Sequence, residues 1–197
     1  MMHHTGSRRR FLQWTGATAV ALASADHLTF AGEPAHGVRS GPHREGVQLG
    51  VTSYSFRQLP LDEAIALTRR LGLKHFSVKA FHLPLNASPE RITEVAAKIR
   101  HAGLDLYGAG VISMHKPADV TQGFAYAKAA GLRVIMAMPT AALLPLIEQN
   151  VKEHNIAVAI HNHGPEDRNF PTPESVFAKV QHLDRRIGLC IDVGHTV

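Results

Sequence analysis

From residue 47 onward, short apolar runs alternate with longer stretches in which apolar residues recur every three or four positions. A brief β-prone run reads as a strand, and a period near 3.6 reads as an amphipathic helix. The pattern predicts strands at 48–53, 74–79, 105–110, 133–138, 156–161 and 187–192, with helices between them. The first helix, near 61–71, is expected to set Leu61, Ile65, Leu67 and Leu71 on one face. Ser88-Pro89-Glu90 and Thr172-Pro173-Glu174 each supply an N-cap, a proline at the first helical position and an acid suited to the helix dipole, which places two further helix starts.

One punctuation mark recurs. Gly72-Leu73, Gly103-Leu104 and Gly131-Leu132 each close a helix before a strand, and Asn155-Ile156 is a degenerate copy; the starts lie 31, 28 and 24 residues apart. That spacing suits successive strand–helix units. Alternating strands and helices imply a parallel sheet, since each strand must return through a crossover helix. An open doubly wound sheet and a closed barrel both satisfy this. The fifth strand favours the barrel, with Ala157, Ala159 and His161 on one face and Ile156, Val158 and Ile160 on the other. No Gly-x-Gly-x-x-Gly follows the first strand, which weakens a dinucleotide-binding reading. The expected class is therefore α/β, a (β/α)8 barrel, incomplete here. A full barrel takes ~250 residues, so residues 47–197 are expected to be its N-terminal three quarters, about six of eight units, truncated at Val197.

The N-terminus carries a different signal. Ser7-Arg8-Arg9-Arg10-Phe11-Leu12-Gln13 resembles twin-arginine export signals, and a weakly apolar stretch follows that ends in the small-x-small site Ala23-Ser24-Ala25. Residues 1–25 are thus expected to be a signal peptide directing the protein to the periplasm, and 26–46 a flexible linker of Gly, Pro, His and Arg. The apolar stretch is shorter than the ~20 residues a membrane helix needs, so no stable membrane span is expected. Removing 1–25, with its three arginines and no acid, lowers the formal charge from +5 to +2. That leaves no basis for a nucleic-acid partner, which would need a clustered basic face. Cys190 is the only cysteine, so the chain cannot form an internal disulfide.

Polar residues gather at the predicted C-terminal ends of the strands, where such barrels place their sites. The fifth strand ends in His161-Asn162-His163-Gly164-Pro165-Glu166-Asp167. His161 and His163 share a face because the strand period is two, so both imidazoles can enter one pocket. The sixth strand ends in Asp192-Val193-Gly194-His195, which adds a carboxylate and a third imidazole. Neighbouring strands lie about 4.8 Å apart, so His161 and Asp192 are expected to share a metal ion, with His163 and His195 further up the loops. Glu166 and Asp167 are expected to solvate the loop. Cys190, on the face of Asp192 and without an evident base beside it, reads as a small interior hydrophobe.

The runs 187–197 (IGLCIDVGHTV), 159–167 (AIHNHGPED), 79–85 (KAFHLPL) and 53–57 (SYSFR) resemble the sugar phosphate isomerase/epimerase family, and within it the branch exported by the twin-arginine route. The resemblance covers 47–197 almost continuously, and Asp-x-Gly-His on the sixth strand is its most specific piece. It implies a xylose isomerase-like TIM barrel holding one divalent metal ion (Mn, Mg, Co or Zn) and moving a proton next to a carbonyl of a sugar or cyclitol. By this resemblance Asp192 matches a metal ligand and His195 a histidine near metal or substrate. His161 departs from the pattern, since many relatives carry there a glutamate that binds metal and serves as acid or base. The remaining ligands, on seventh and eighth strands, would lie beyond Val197.

A metal in such a site polarises the carbonyl while a base removes the proton. Lys79, ending the second strand on the face of Ser77, and His163 are the candidate catalytic groups. His82, His195, Arg57 and Tyr54 are candidate substrate contacts, and His115 and Lys116 read as loop residues. The expected partner is a small-molecule sugar or polyol, with room for a homo-oligomer. An isomerase or epimerase is the leading class, and a lyase or dehydratase on keto-sugars or inososes is its sibling. The same residues would also serve a metal-dependent hydrolase or a catalytically inactive sugar-binding barrel.

Replacing Arg8 and Arg9 together by lysine is expected to retain the protein in the cytoplasm. Cell fractionation that finds the variant in the periplasm at the normal level would overturn the export reading.

Overall fold

The structure, a computed structural model, describes residues 46–196. The expected signal peptide at 1–25 and all but the last residue of the expected linker at 26–46 lie outside the described residues, as does Val197. Six strands form one sheet in chain order: β1 (Gly50–Thr52), β2 (His75–Val78), β3 (Asp105–Met114), β4 (Val134–Pro139), β5 (Ala157–His161) and β6 (Ile187–Cys190). Every neighbouring pair is parallel. Between them run α1 (Leu61–Arg70), α2 (Pro89–His101), α3 (Pro117–Ala129), α4 (Leu144–His154) and α5 (Pro173–Val180). Consecutive β/α units in unbroken order are what the sequence pattern predicts for a barrel.

The recurring punctuation has a backbone cause. Gly72, Gly103 and Gly131 take left-handed φ values of 72°, 82° and 60°, and Asn155 stands in the equivalent place at 53°. Each ends a helix by turning the chain toward the next strand, a conformation that glycine adopts freely and asparagine tolerates. The two proline-marked starts also hold: Ser88 Oγ accepts from the Arg91 amide at 3.3 Å, and Thr172 Oγ1 from the Ser175 amide at 3.2 Å.

Three expectations need correction. On α1 the buried residues are Ala64, Ile65 and Thr68, and Leu71 is exposed. A stripe at i, i+3, i+4 and i+7 from the half-buried Leu61 satisfies the 3.6 period better than one through Leu67. The buried Thr68 hydroxyl is satisfied, donating to the Ala64 carbonyl at 2.7 Å. β3 does not stop at residue 110 but pairs with β4 as far as Met114, its register shifting between Gly110 and Ile112. A Cβ at Gly110 would strike the Met136 carbonyl, so only glycine fits there. β6 stops at Cys190, because Asp192 Oδ1 accepts from the Gly194 amide at 2.8 Å and turns the chain into a short 3₁₀ turn, Val193–His195.

One core joins the outer face of the sheet to the helices. Phe76 and Val78 of β2, Leu106 of β3, Ile135 of β4 and Val158 and Ile160 of β5 are buried with Ile92, Val95 and Ile99 of α2 and Ile147 and Val151 of α4. Burial of such side chains contributes about 1.5–3 kcal/mol each. Polar chemistry is thereby left to the strand ends.

At the N-terminal ends, Arg133 grips Asp105 with two bonds of 2.8 and 2.7 Å, while His75 Nδ1 lies 2.9 Å from the same carboxylate. The clamp joins the starts of β2, β3 and β4. The Arg133 guanidinium holds the Asp105 carboxyl down from 3.8 to about 2. A carboxyl whose pKa is lower in the folded state stabilises the protein above its unfolded value, and the contribution is lost as pH falls through the folded one. Asp105→Asn is therefore expected to cost about 1 kcal/mol at pH 7, discounted because a third of the side chain faces water. In urea denaturation the gap from wild type should shrink between pH 4 and pH 2; a gap as large at pH 2 as at pH 7 would show that packing rather than charge holds the three strands.

Candidate functional site

A cavity of about 600 Å³ opens where the strand ends meet. Its lining includes Tyr54, Ser77, Lys79, Tyr107, Met136, His161, His163, Cys190, Asp192 and His195. Its volume suits a small organic ligand. The parallel register brings His161 of β5 opposite Cys190 of β6, so Asp192, two residues on, reaches across to His161. His161 Nε2 lies 3.1 Å from Asp192 Oδ2, and His161 Nδ1 lies 3.3 Å from His163 Nδ1. His195 Nε2 stands 4.0 Å from Asp192 Oδ2, and its ring centroid is 5.5 Å from that of His163. Three imidazoles and one carboxylate thus converge as their spacing along the chain suggested.

Asn162, between the two histidines, faces away from the cavity and fastens β6 to β5. Its Oδ1 accepts from the Asp192 amide at 2.9 Å, and its Nδ2 donates to the Asp192 carbonyl at 3.4 Å and to Thr196 Oγ1 at 3.3 Å. The side chain is fully buried with all these bonds made. Its alternation with the two histidines was the one available sign of this role.

Burial pushes the His161 pKa below its ordinary 6.5, and the nearby His163 adds to the effect against the pull of Asp192. His161 is therefore neutral near pH 7, as a metal ligand or hydrogen-bond relay must be. With Asp192 accepting from Nε2, neutral His161 accepts at Nδ1 from His163 Nδ1, which leaves a lone pair on His163 Nε2; these tautomers are assigned from the hydrogen-bond network.

The second strand supplies the opposite wall. The Lys79 amide donates to the buried Ser53 hydroxyl at 2.9 Å, and the Lys79 carbonyl accepts from the amides of His82 and Leu83 at 3.0 and 3.1 Å. Its backbone is held from both sides while its side chain lines the cavity. Lys79 Nζ lies 5.6 Å from the centre of the Tyr54 ring, and burial lowers its pKa from the usual 10.5. Tyr54 is also a cavity residue. Arg57 is not; its guanidinium covers the Tyr54 ring at 4.8 Å and Nη1 bonds the Tyr54 carbonyl at 3.4 Å. His82 also lies outside the lining, with Nε2 donating to the Leu59 carbonyl at 2.8 Å and its ring edge-on to Phe81. No sequence pattern marks a bond to a carbonyl 23 residues away. Cys190 is half-buried on the cavity wall rather than enclosed in the interior, and burial raises its thiol pKa. Ser77 and Tyr107 also line the cavity without having been expected there.

His163 and His195 also border a second cavity of about 530 Å³, shared with His115, Glu166, Asp167, Arg168 and Asn169. Glu166 is exposed, as expected of a loop residue, but Asp167 is not a solvating group. Its Oδ1 accepts from the amides of Asn169 and Phe170 at 2.7 and 3.2 Å, and its Oδ2 is buried 3.9 Å from His163 Nδ1. The same loop is fastened by His163 N to the Phe170 carbonyl at 3.2 Å, Gly164 N to the Pro171 carbonyl at 3.1 Å and Lys179 Nζ to the Asn169 carbonyl at 3.0 Å, around a buried Phe170 ring.

A divalent metal holds nitrogen and oxygen ligands at about 2.0–2.2 Å, which sets adjacent donors roughly 3 Å apart. The 3.1 Å separation of His161 Nε2 and Asp192 Oδ2 fits one such edge, and a nitrogen–oxygen donor set suits a borderline divalent ion. Among the described residues, no three His, Cys, Asp or Glu side chains form a group able to hold a metal ion. His163 faces the other nitrogen of His161, and His195 Nε2 stands 4.0 Å from the Asp192 carboxylate, outside the tight pair. Among the described residues, His161 and Asp192 form a two-donor edge.

No protein-family model matches the chain, and no curated protein matches it either. Solved structures do. An uncharacterized protein from Parabacteroides distasonis is similar with a TM-score of 0.63 at 22% identity, over 73% of this chain and 62% of that one. The 3-keto-D-glucoside 4-epimerase of E. coli is similar with a TM-score of 0.61 at 14% identity, over 76% and 70%. A xylose isomerase-like TIM barrel fused to a 4-hydroxyphenylpyruvate dioxygenase is similar with a TM-score of 0.57 at 12% identity, over 70% and 25%. The fold is that of a xylose isomerase-like TIM barrel, with six of its strands and five of its helices among the described residues. The chain spans 62% of the length of the Parabacteroides protein.

Asn162→Ala is expected to destabilise the protein by about 1–3 kcal/mol, because it empties a buried position and leaves the half-buried amide of Asp192 without its acceptor. Urea denaturation measures this; a loss below ~0.5 kcal/mol would show that β6 is held by the backbone ladder alone.

Proposed function

We propose that the protein is a sugar isomerase or epimerase that moves a proton next to a carbonyl, with a divalent metal as its cofactor. The observation that carries this reading is the convergence of His161, His163, His195 and Asp192 on a single cavity at the strand ends, with Lys79 on the opposite wall. The likeness of the fold to the epimerase and isomerase-like barrels supports the same class. A small polyhydroxylated ligand suits the lining, which mixes imidazole, hydroxyl and carboxylate groups with the flat faces of Tyr54 and Tyr107.

His161 Nε2 and Asp192 Oδ2 would hold the metal, further ligands coming from outside this donor pair. Bound there, such an ion would polarise a substrate oxygen and lower the cost of the enediolate. His163 is the proton-transfer group. In the tautomer assigned above its Nε2 is free to take a proton. Once protonated there, His163 can return the proton, as proton transfer next to a carbonyl requires. His195 and Tyr54 would orient the sugar hydroxyls, and the hydrophobic parts of the wall, Met136 and Val111, would limit water.

Incubating the protein in deuterated water with candidate aldoses and ketoses, and following the loss of the α-proton signal by NMR, tests this directly. Exchange is expected with added Mn, Co, Mg or Zn and is expected to stop with a chelator. Asp192→Ala should abolish metal binding and exchange together, while His163→Ala should slow exchange about 10² to 10⁴-fold with metal content retained. Asp192→Ala with stoichiometric metal would place the site elsewhere.

A further inference from the structure

We propose that Lys79 is a nucleophile that captures the substrate carbonyl as an imine. Three observations point to this. Lys79 lines the cavity on the wall opposite the histidines, yet among the described residues it makes no ion pair and its amine has no hydrogen-bond partner. The other cavity-facing charged groups lie together at the ends of β5 and β6, so only the face of the Tyr54 ring, 5.6 Å away, adjoins the ammonium. The backbone on either side of Lys79 is fixed by the Ser53 hydroxyl and by the amides of His82 and Leu83. A partly buried lysine without a counter-ion is the usual form of an imine-forming residue, because the neutral amine is the attacking species.

The third observation is Ser77. Its hydroxyl is 1% exposed, has no hydrogen-bond partner and belongs to a residue that lines the same cavity two positions before Lys79 on the same strand face. Buried hydroxyls are nearly always satisfied, so an orphaned one at a cavity wall marks where a ligand's polar atom belongs. A substrate oxygen on Ser77 would bring the neighbouring carbonyl carbon to the amine two residues on, just past the end of β2. The lowered pKa of Lys79 agrees with this and is not needed for it.

The chemistry balances without an oxidant or a reductant. The amine lone pair adds to the carbonyl carbon and the carbonyl oxygen takes up a proton, giving a carbinolamine. Loss of water, with the nitrogen's second proton released, gives the imine, and water reverses both steps. The protonated imine places a positive charge beside the carbon that gives up its proton, an electron sink additional to any metal. This rests on the reading that the cavity receives carbonyl sugars, but it assigns to Lys79 a covalent role that the reading does not contain.

Trapping tests it. The full chain is incubated with dihydroxyacetone or D-fructose and sodium cyanoborohydride, in the presence of a chelator, and the modified lysines are found by peptide mass spectrometry. Lys79 is expected to be labelled several-fold more than the exposed Lys74 and Lys128, since a cavity that binds the carbonyl beside a held amine favours addition there. Xylitol, which has no carbonyl, is expected to lower the label at Lys79 and leave that at Lys128 unchanged. Ser77→Ala is expected to reduce labelling at Lys79 alone. Lys79→Arg, with folding checked by circular dichroism, keeps the charge and is expected to lose the selective adduct. Equal labelling of Lys79 and Lys128, or selective labelling that xylitol does not lower, overturns the proposal. Metal-dependent α-proton exchange without a Lys79 adduct overturns the imine and leaves the isomerase reading standing; a selective adduct without exchange does the reverse.

Discussion

Parallel pairing is the constraint on which the site depends. Because each strand returns through a helix, all six strands point the same way, and their C-terminal ends open on one surface. The pairing of His161 with Cys190 then sets Asp192 across from His161, and no special contact is needed to bring imidazole and carboxylate together. A slip of one residue would turn Cys190 and Asp192 toward the helices and their neighbours Ile191 and Val193 toward the cavity. The Asn162 side chain, bonded to both the amide and the carbonyl of Asp192, holds that register where the backbone ladder has already ended.

Stability and chemistry occupy opposite ends of the strands. At the start of β2, β3 and β4, the Asp105 carboxylate joins Arg133 and His75, so its charges are paired. At the far end, His161 is neutralised by burial, the amine of Lys79 has no partner and the Ser77 hydroxyl goes unsatisfied. Groups left in that condition cost stability unless something binds them, which is the usual mark of a working site.

Much of this was legible in the residues. The strand–helix alternation, the left-handed helix ends at Gly72, Gly103, Gly131 and Asn155, and the gathering of His161, His163 and Asp192 all follow from local chemistry and period. The misreadings have tertiary causes. β3 runs past Gly110 because β4 continues beside it, which cannot be seen from β3 itself. His82 and Arg57 were candidates for the site because they are polar and follow strands. A carbonyl at Leu59 and the ring of Tyr54 engage them instead. Asp167 looked like a loop acid, yet it caps the amides of Asn169 and Phe170, a role set by how the loop folds back.

That fold-back has a thermodynamic consequence. Between β5 and α5 the loop is already fastened through Asp167, Phe170 and Lys179, with the Phe170 ring buried beneath it. A ligand arriving at His163 meets a segment whose chain entropy was surrendered during folding, so association needs no ordering step on that side. Its rate should reflect diffusion and desolvation of the cavity. The heat-capacity change on binding should match the small apolar area the ligand itself covers, without the larger signature of a coupled folding transition.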